Sequence, residues 1–183
     1  MRTQNLKLSI LRNLIKTQRL LDKYSAEQLL ELPMMGDDTM TQSMRIMDNL
    51  LTYTYATNLD LHVLLIMKMT RRSVKYGVCR YTPAVFGAYG NLAGGVLGDL
   101  KKGQLYATVA LKLNRRLGLR DMEARTTFIA YNFVLLWNDP LPQSFKPYLR
   151  GYQIGLETGD LENAMFCITY HCDVAMHTGR RLS

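Results

Sequence analysis

The chain has 183 residues, 48% hydrophobic and 21% charged, with a formal net charge of +8. That balance excludes a disordered polymer, and apolar runs of only about five residues, such as Val63 to Met67, exclude a membrane-spanning helix, which needs roughly 20. Three cysteines without a CxxC do not make a disulfide framework and place the chain in a reducing, cytoplasmic compartment.

Segment 1–24 is basic and amphipathic. Leu6, Ile10, Leu14, Leu11, Ile15, Leu20 and Leu21 recur at three- and four-residue steps. Arg2, Lys7, Arg12, Lys16 and Arg19 all precede the first acid, Asp22. This reads as a basic first helix, with an amphipathic organellar presequence as the alternative. Ser25 with Gln28 has the form of a capping box, opening a short helix that Pro33 closes. Gly36 and Asp37-Asp38 begin the next, with Met40, Met44, Met47, Leu50 and Leu51 on one face. After a break at 58–60, a helix through Leu61, Leu64, Leu65 and Met69 runs to about Tyr76.

Thr82-Pro83 predicts a helix start, threonine capping and proline at the first helical position. That helix meets Gly98-Asp99, a pair suited to a left-handed turn followed by a new cap. Further helices are expected over 100–117, ending at Gly118, over 121–137, stopped by Asp139-Pro140-Leu141-Pro142, and over 144–156 and 160–177. The fold class is all-α, with about eight helices. Residues 25–183 are expected to form an antiparallel helical-hairpin array, tetratricopeptide-like but irregular, and incomplete. An internal echo supports repetition: Tyr89-Gly90, Gly98-Asp99-Leu100 and Ala107 resemble Tyr152, Gly159-Asp160-Leu161 and Ala164. Gly87, Gly90, Gly94 and Gly98 lie at steps of three and four, where close helix packing offsets the roughly 1 kcal/mol that each glycine costs.

Charge is concentrated in the middle. Residues 61–120 hold Lys68, Arg71, Arg72, Lys75, Arg80, Lys101, Lys102, Lys112, Arg115, Arg116 and Arg120 against Asp99 alone. An acidic partner, a phosphorylated ligand or a solvated surface all fit. Arg71, Arg72, Lys75 and Arg80 interleave with Tyr76 and Tyr81, and Arg115, Arg116 and Arg120 extend the pattern. Phosphate contacts with base stacking are therefore the alternative function, although no nucleic-acid-binding motif accompanies them.

Catalytic chemistry finds little support. Gly98 to Gly103 has phosphate-loop spacing, but Gln104-Leu105 follows where lysine and a hydroxyl are required. Cys167, His171, Cys172 and His177 crowd one segment, yet on a continuous helix Cys172 sits about 100° from His171, away from a shared face. The chain holds three histidines, His62, His171 and His177, and no nucleophile elbow of the GxSxG type, and Asp99, Asp121 and Asp160 read as helix caps. The expectation is a chain that is not an enzyme and takes no cofactor or metal.

Several segments carry a resemblance. Leu32-Pro33-Met34-Met35, Met44-Arg45-Ile46-Met47, Lys68-Met69 with Ser73-Val74-Lys75-Tyr76-Gly77, and Tyr89-Gly90 with Leu97-Gly98-Asp99, Gly103, Tyr106 and Ala110-Leu111 follow one pattern. The run Gly155 to Ala164 (GLETGDLENA), with Gly179 and Leu182, completes it. The pattern, over about residues 28–183, resembles the tetratricopeptide-like helical region of large multidomain AAA/STAND-type signalling ATPases. Ala107 departs from it. The resemblance implies a scaffold that relays state between kinase, ATPase, histidine-kinase or nucleotide-cyclase modules, none of whose motifs occurs here. It also implies that the chain is a fragment or a detached part of such a protein.

The expected function is thus a non-enzymatic protein-interaction module acting in signal transduction. Its candidate surface is Lys68, Arg71, Arg72, Lys75, Arg80, Lys112, Arg115, Arg116 and Arg120, and its structural turns are Gly98, Asp99, Gly159 and Asp160. A protein or neighbouring kinase, ATPase or cyclase domain is the expected partner, nucleic acid is disfavoured, and no membrane is involved. Self-association is expected through an uncovered apolar face of the last helix at Phe166, Ile168, Tyr170 and Val174.

Overall fold

The computed structural model describes residues 2–137 and 139–179, with side chains from residue 6 onward; Leu182 and the Arg2 side chain lie outside them. The fold is all-α. Among the described residues the α-helices are α1 (Arg2–Leu21), α2 (Ala26–Leu30), α3 (Asp38–Thr57), α4 (Leu59–Tyr76), α5 (Thr82–Asn91), α6 (Leu100–Arg116), α7 (Glu123–Phe133), α8 (Phe145–Thr158) and α9 (Leu161–Thr178). The chain divides into two compact units, Met1–Val85 and Phe86–Ser183.

In the first unit α4 packs against both α1 and α3. Its core is rich in methionine: Met44, Met67 and Met69 are fully buried, as are Leu21, Leu29 and Ile66, and the flexible thioether adapts to irregular core shapes. Short polar side chains define the helix starts. Ser25 and Gln28 form a reciprocal box, Met40 N–H donates to Asp37 Oδ1 at 3.0 Å, and Leu61 N–H donates to Asn58 Oδ1 at 3.0 Å. The break expected over 58–60 is narrower, because Asn58 alone both ends α3 and caps α4. The Leu32 to Met35 segment is pinned to the end of α4 by two backbone bonds of 2.8 Å, Val78 N–H to Pro33 C=O and Met35 N–H to Val78 C=O.

Thr82 does not cap forward. It is the first residue of α5, and its hydroxyl turns back to accept from Cys79 N–H at 2.9 Å and to meet Ser73 Oγ at 3.0 Å. A fully buried hydroxyl satisfied by an earlier helix outcompetes the local cap.

The second unit contains one joint made twice. Gly98 and Gly159 take left-handed φ values of +72° and +83°. Asp99 Oδ1 then accepts from Lys102 N–H at 3.0 Å, and Asp160 Oδ1 from Asn163 N–H at 3.4 Å. The flanking helices touch at small residues. A Cβ on Gly90 would lie 2.9 Å from Gly103 O, and one on Gly155 would lie 2.7 Å from Ala164 Cβ. Gly90, Gly94, Gly98 and Gly103 therefore match Gly151, Gly155, Gly159 and Ala164. That corrects the register of the echo, in which Tyr89-Gly90 is set against Tyr152 and Ala107 against Ala164. The two arms differ in one respect: the first hairpin widens into a π-turn over Leu92–Val96, whereas α8 is regular.

The helix expected over 121–137 is interrupted. A 3-10 turn (Arg120–Met122) precedes α7, and at Val134 the backbone leaves the helical region (φ −132°, ψ −59°) before a second 3-10 turn, Leu135–Trp137. Adjacent residues on an α-helix diverge by about 100°, and the break lets Val134 and Leu135 both enter the cluster around Ala107 and Ala130. The apolar face of the last helix also differs from expectation. Val174 is buried and Ile168 and Tyr170 are half-buried, while Leu161, Met165, Phe166 and Met176 are the exposed large apolar residues of α9. Phe166 stacks on Phe128 at 4.8 Å.

Two substitutions separate packing from polarity in the second unit. Gly155→Ala should destabilise it by about 1–2 kcal/mol in chemical denaturation, because overpacking outweighs the helix propensity gained. Tyr148, whose ring is fully buried, has no hydrogen-bond partner for its hydroxyl among the described residues. Burial raises its pKa well above 10. Tyr148→Phe should leave the melting temperature unchanged or raise it, since only an unsatisfied hydroxyl is lost.

Candidate functional site

Helix α1 faces α4 through Leu14, Thr17 and Leu21, the buried positions of its one-turn ladder. Rotated away from that ladder, Arg12, Lys16 and Arg19 follow one another at steps of four and three residues and share a stripe, and Lys23 follows in the turn after α1. On α4 the same logic places Lys68, Arg71, Arg72 and Lys75 on one face. The two stripes border a groove of about 990 Å³ whose lining also includes Ile15, Leu20, Val74, Tyr24 and Tyr76. Among the described residues no carboxylate lines it.

The four α4 cations have different tasks. Arg71 reaches across to α1, where Nη1 donates to Thr17 Oγ1 at 2.6 Å and to Asn13 C=O at 3.3 Å, and Nη2 donates to Asn13 Oδ1 at 2.8 Å. The buried Thr17 hydroxyl passes its own proton to Asn13 C=O at 2.7 Å. Arg72 turns the other way and donates to Ser43 Oγ and, at 3.8 Å, to Met47 Sδ on α3. These two arginines assemble the unit. Lys68 and Lys75 are exposed, with Lys75 Nζ 4.9 Å from the centre of the Tyr76 ring. Arg12, Lys16, Arg19 and Lys23 are exposed as well. Arg80 lies outside the groove, exposed, its guanidinium 5.8 Å from the Tyr81 ring centre.

The other expected basic group belongs to the second unit. Lys112, Arg115 and Arg116 are exposed on α6, and Arg120 sits in the following 3-10 turn. Arg115 and Arg120 enter a smaller cleft of about 450 Å³, but Glu123, Glu157 and Arg150 enter it too. Arg120 pairs with Glu157, and Arg150 pairs with Glu123 at 2.6 Å. Glu123 raises the Arg150 pKa through its hydrogen bond and charge. Alternating signs make this a mixed surface, with a weaker pull on anions than the groove of the first unit.

Of the residues considered for metal or nucleophilic chemistry, Cys167 and His171 are buried in the packing of the second unit. Cys167 is fully buried, and burial, then Asp160, pushes its thiol pKa up to about 12. His171 donates from Nδ1 to Phe145 C=O at 2.9 Å, Cys172 is half-buried and His177 is exposed. Among the described residues no group of three or more His, Cys, Asp or Glu side chains could hold a metal ion. His62 lies 3.1 Å from Leu51 C=O, and burial lowers its pKa below 6.5.

Sequence reasoning named Arg12, Lys16 and Arg19 as features of a basic helix but did not join them to Lys68 and Lys75, and it left out Lys23 and Tyr24. The step pattern of the cations on both helices was the available signal. The pairing of α1 with α4, across more than fifty residues, had none. No protein-family profile, no curated protein and no solved structure matches this chain.

The arginine bridge can be separated from the binding surface. Arg71→Met keeps the apolar stem and removes three hydrogen bonds to α1. At about 1–3 kcal/mol for the charged contacts, amides of residues 6–21 should exchange roughly ten- to a hundredfold faster, with 145–178 unaffected. Equal protection in both proteins would show that α1 is held by its apolar face alone.

Proposed function

We propose that this chain is a non-enzymatic helical interaction module whose first unit holds an acidic protein segment in the α1–α4 groove. The observation carrying this reading is the groove itself: seven cationic side chains from two packed helices, with Lys23 from the turn after α1, line it, and no described carboxylate does. A concave site with one sign of charge concentrates its field and speeds the capture of an oppositely charged partner.

The resemblance to the tetratricopeptide-like region of signalling ATPases supports the same reading. On that basis the natural partner is an acidic segment of a cytoplasmic signalling protein or of an adjoining kinase, ATPase or cyclase domain, and the chain acts as a scaffold within a multidomain assembly. The exposed Leu161, Met165, Phe166 and Met176 on α9 supply a second, apolar surface for self-association. Nucleic acid is the second reading, because Tyr24 and Tyr76 border the cations and could stack on bases.

Binding of fluorescent polyglutamate and of a single-stranded oligonucleotide to the full chain tests this function. Polyglutamate should bind, weaken as salt rises, and lose at least about tenfold in affinity with Lys16→Glu/Lys68→Glu, two exposed positions outside the Arg71 and Arg72 contacts. Unchanged affinity in the double variant would remove the groove from the function, and a clear preference for the oligonucleotide would favour the second reading. An antibody blot of cell extract tests the multidomain assignment, which requires a band far above 21.0 kDa.

A further inference from the structure

Resting on the reading of the groove as an acidic-partner site, we infer that its occupant is an amphipathic acidic helix, seated with apolar residues on the groove floor and carboxylates toward both cationic walls. Charge alone does not distinguish an acidic helix from an extended acidic tail, a nucleic-acid strand or an anionic bilayer. The floor does. Ile15, Leu20 and Val74 line the groove together with the cations, and Ile15 remains 42% exposed. One turn before it on α1, Leu11 is 51% exposed, and Leu8 is 47% exposed. An apolar strip therefore runs beside the cationic stripe of the same helix.

A phosphate backbone brings nothing apolar to such a strip, and a purely acidic tail would leave it wet. An amphipathic helix covers it, with anchors at steps of three and four, while acids on both flanks reach the walls. The dimensions agree. Arg12 to Arg19 and Lys68 to Lys75 each span about 10 Å at 1.5 Å per residue, about two turns of a docked helix. Within each wall the cations recur about once per turn, the interval at which a facing helix presents carboxylates on one side.

The test uses the full chain and a synthetic acidic peptide of about 18 residues, long enough for five turns, with leucines at helical three- and four-residue steps and glutamates on both flanks. A scrambled peptide of identical composition, polyglutamate, an oligonucleotide and vesicles of phosphatidylcholine with about one quarter phosphatidylserine complete the set. The amphipathic peptide should bind about tenfold or more tighter than its scramble, as expected from burying one or two apolar side chains. Its circular dichroism should gain helix on binding. Ile15→Ser, at an exposed position, should remove that advantage while leaving polyglutamate affinity intact, and Lys16→Glu should weaken both probes. Equal affinity for peptide and scramble overturns the inference and leaves the acidic-partner reading standing. Failure of peptide and polyglutamate alike overturns both. Tighter binding to the oligonucleotide or to the vesicles than to the peptide overturns the inference in favour of that ligand.

Discussion

The first unit depends on one guanidinium. Arg71 projects from α4 into the neighbouring turns of α1 and satisfies a backbone carbonyl, an amide oxygen and a buried hydroxyl at once. A planar fork of donors suits that task, and a lysine ammonium does not reproduce it. Once the fork is engaged, the rotational setting of α1 is fixed relative to α4: Leu14 and Leu21 face inward and the stripe from Arg12 to Arg19 faces the groove. Arg72 performs the matching task toward α3. The groove is thus made by two arginines that bond within the protein and offered to solvent by neighbours that do not.

The second unit is organised by close approach instead of by charge. Where Gly90 meets Gly103, and Gly155 meets Ala164, backbone and Cβ atoms come within the space that a larger side chain would fill. Each joint then reverses direction through a left-handed glycine and restarts with an aspartate cap. The same solution at two places 61 residues apart makes the unit repetitive in construction even where the intervening sequence has diverged. The π-turn at Leu92–Val96 marks the divergence, since it widens one arm and leaves its counterpart regular.

What the sequence revealed divides along the distance between interacting residues. The caps at Ser25, Asp37, Asp99 and Asp160 act over three residues, and their residue types are chosen by that local chemistry, so they were legible. The all-α class followed from periodicity for the same reason. Thr82 was misread because its hydroxyl answers to Cys79 and Ser73 behind it and not to the helix ahead. The interruption at Val134 was hidden because tertiary burial of two adjacent side chains, not a breaker residue, ends α7. The candidate site was half legible: the basic stretch from Lys68 to Lys75 was identified, but its opposite wall is a helix more than fifty residues away. Arg71 and Arg72 were counted with the binding cations, since a sequence does not tell an arginine that bonds inward from one that faces out.

The cationic groove also bears on the free protein. Six exposed ammonium and guanidinium groups on two packed helices and the turn after α1 repel one another, and that repulsion acts against the Arg71 contacts that hold α1 in place. An anionic occupant reverses the sign of the effect. By mass action a ligand present at 100 times its dissociation constant adds about 2.7 kcal/mol to the folded state. Any anion that fills the groove would therefore take part in the folding equilibrium of the first unit.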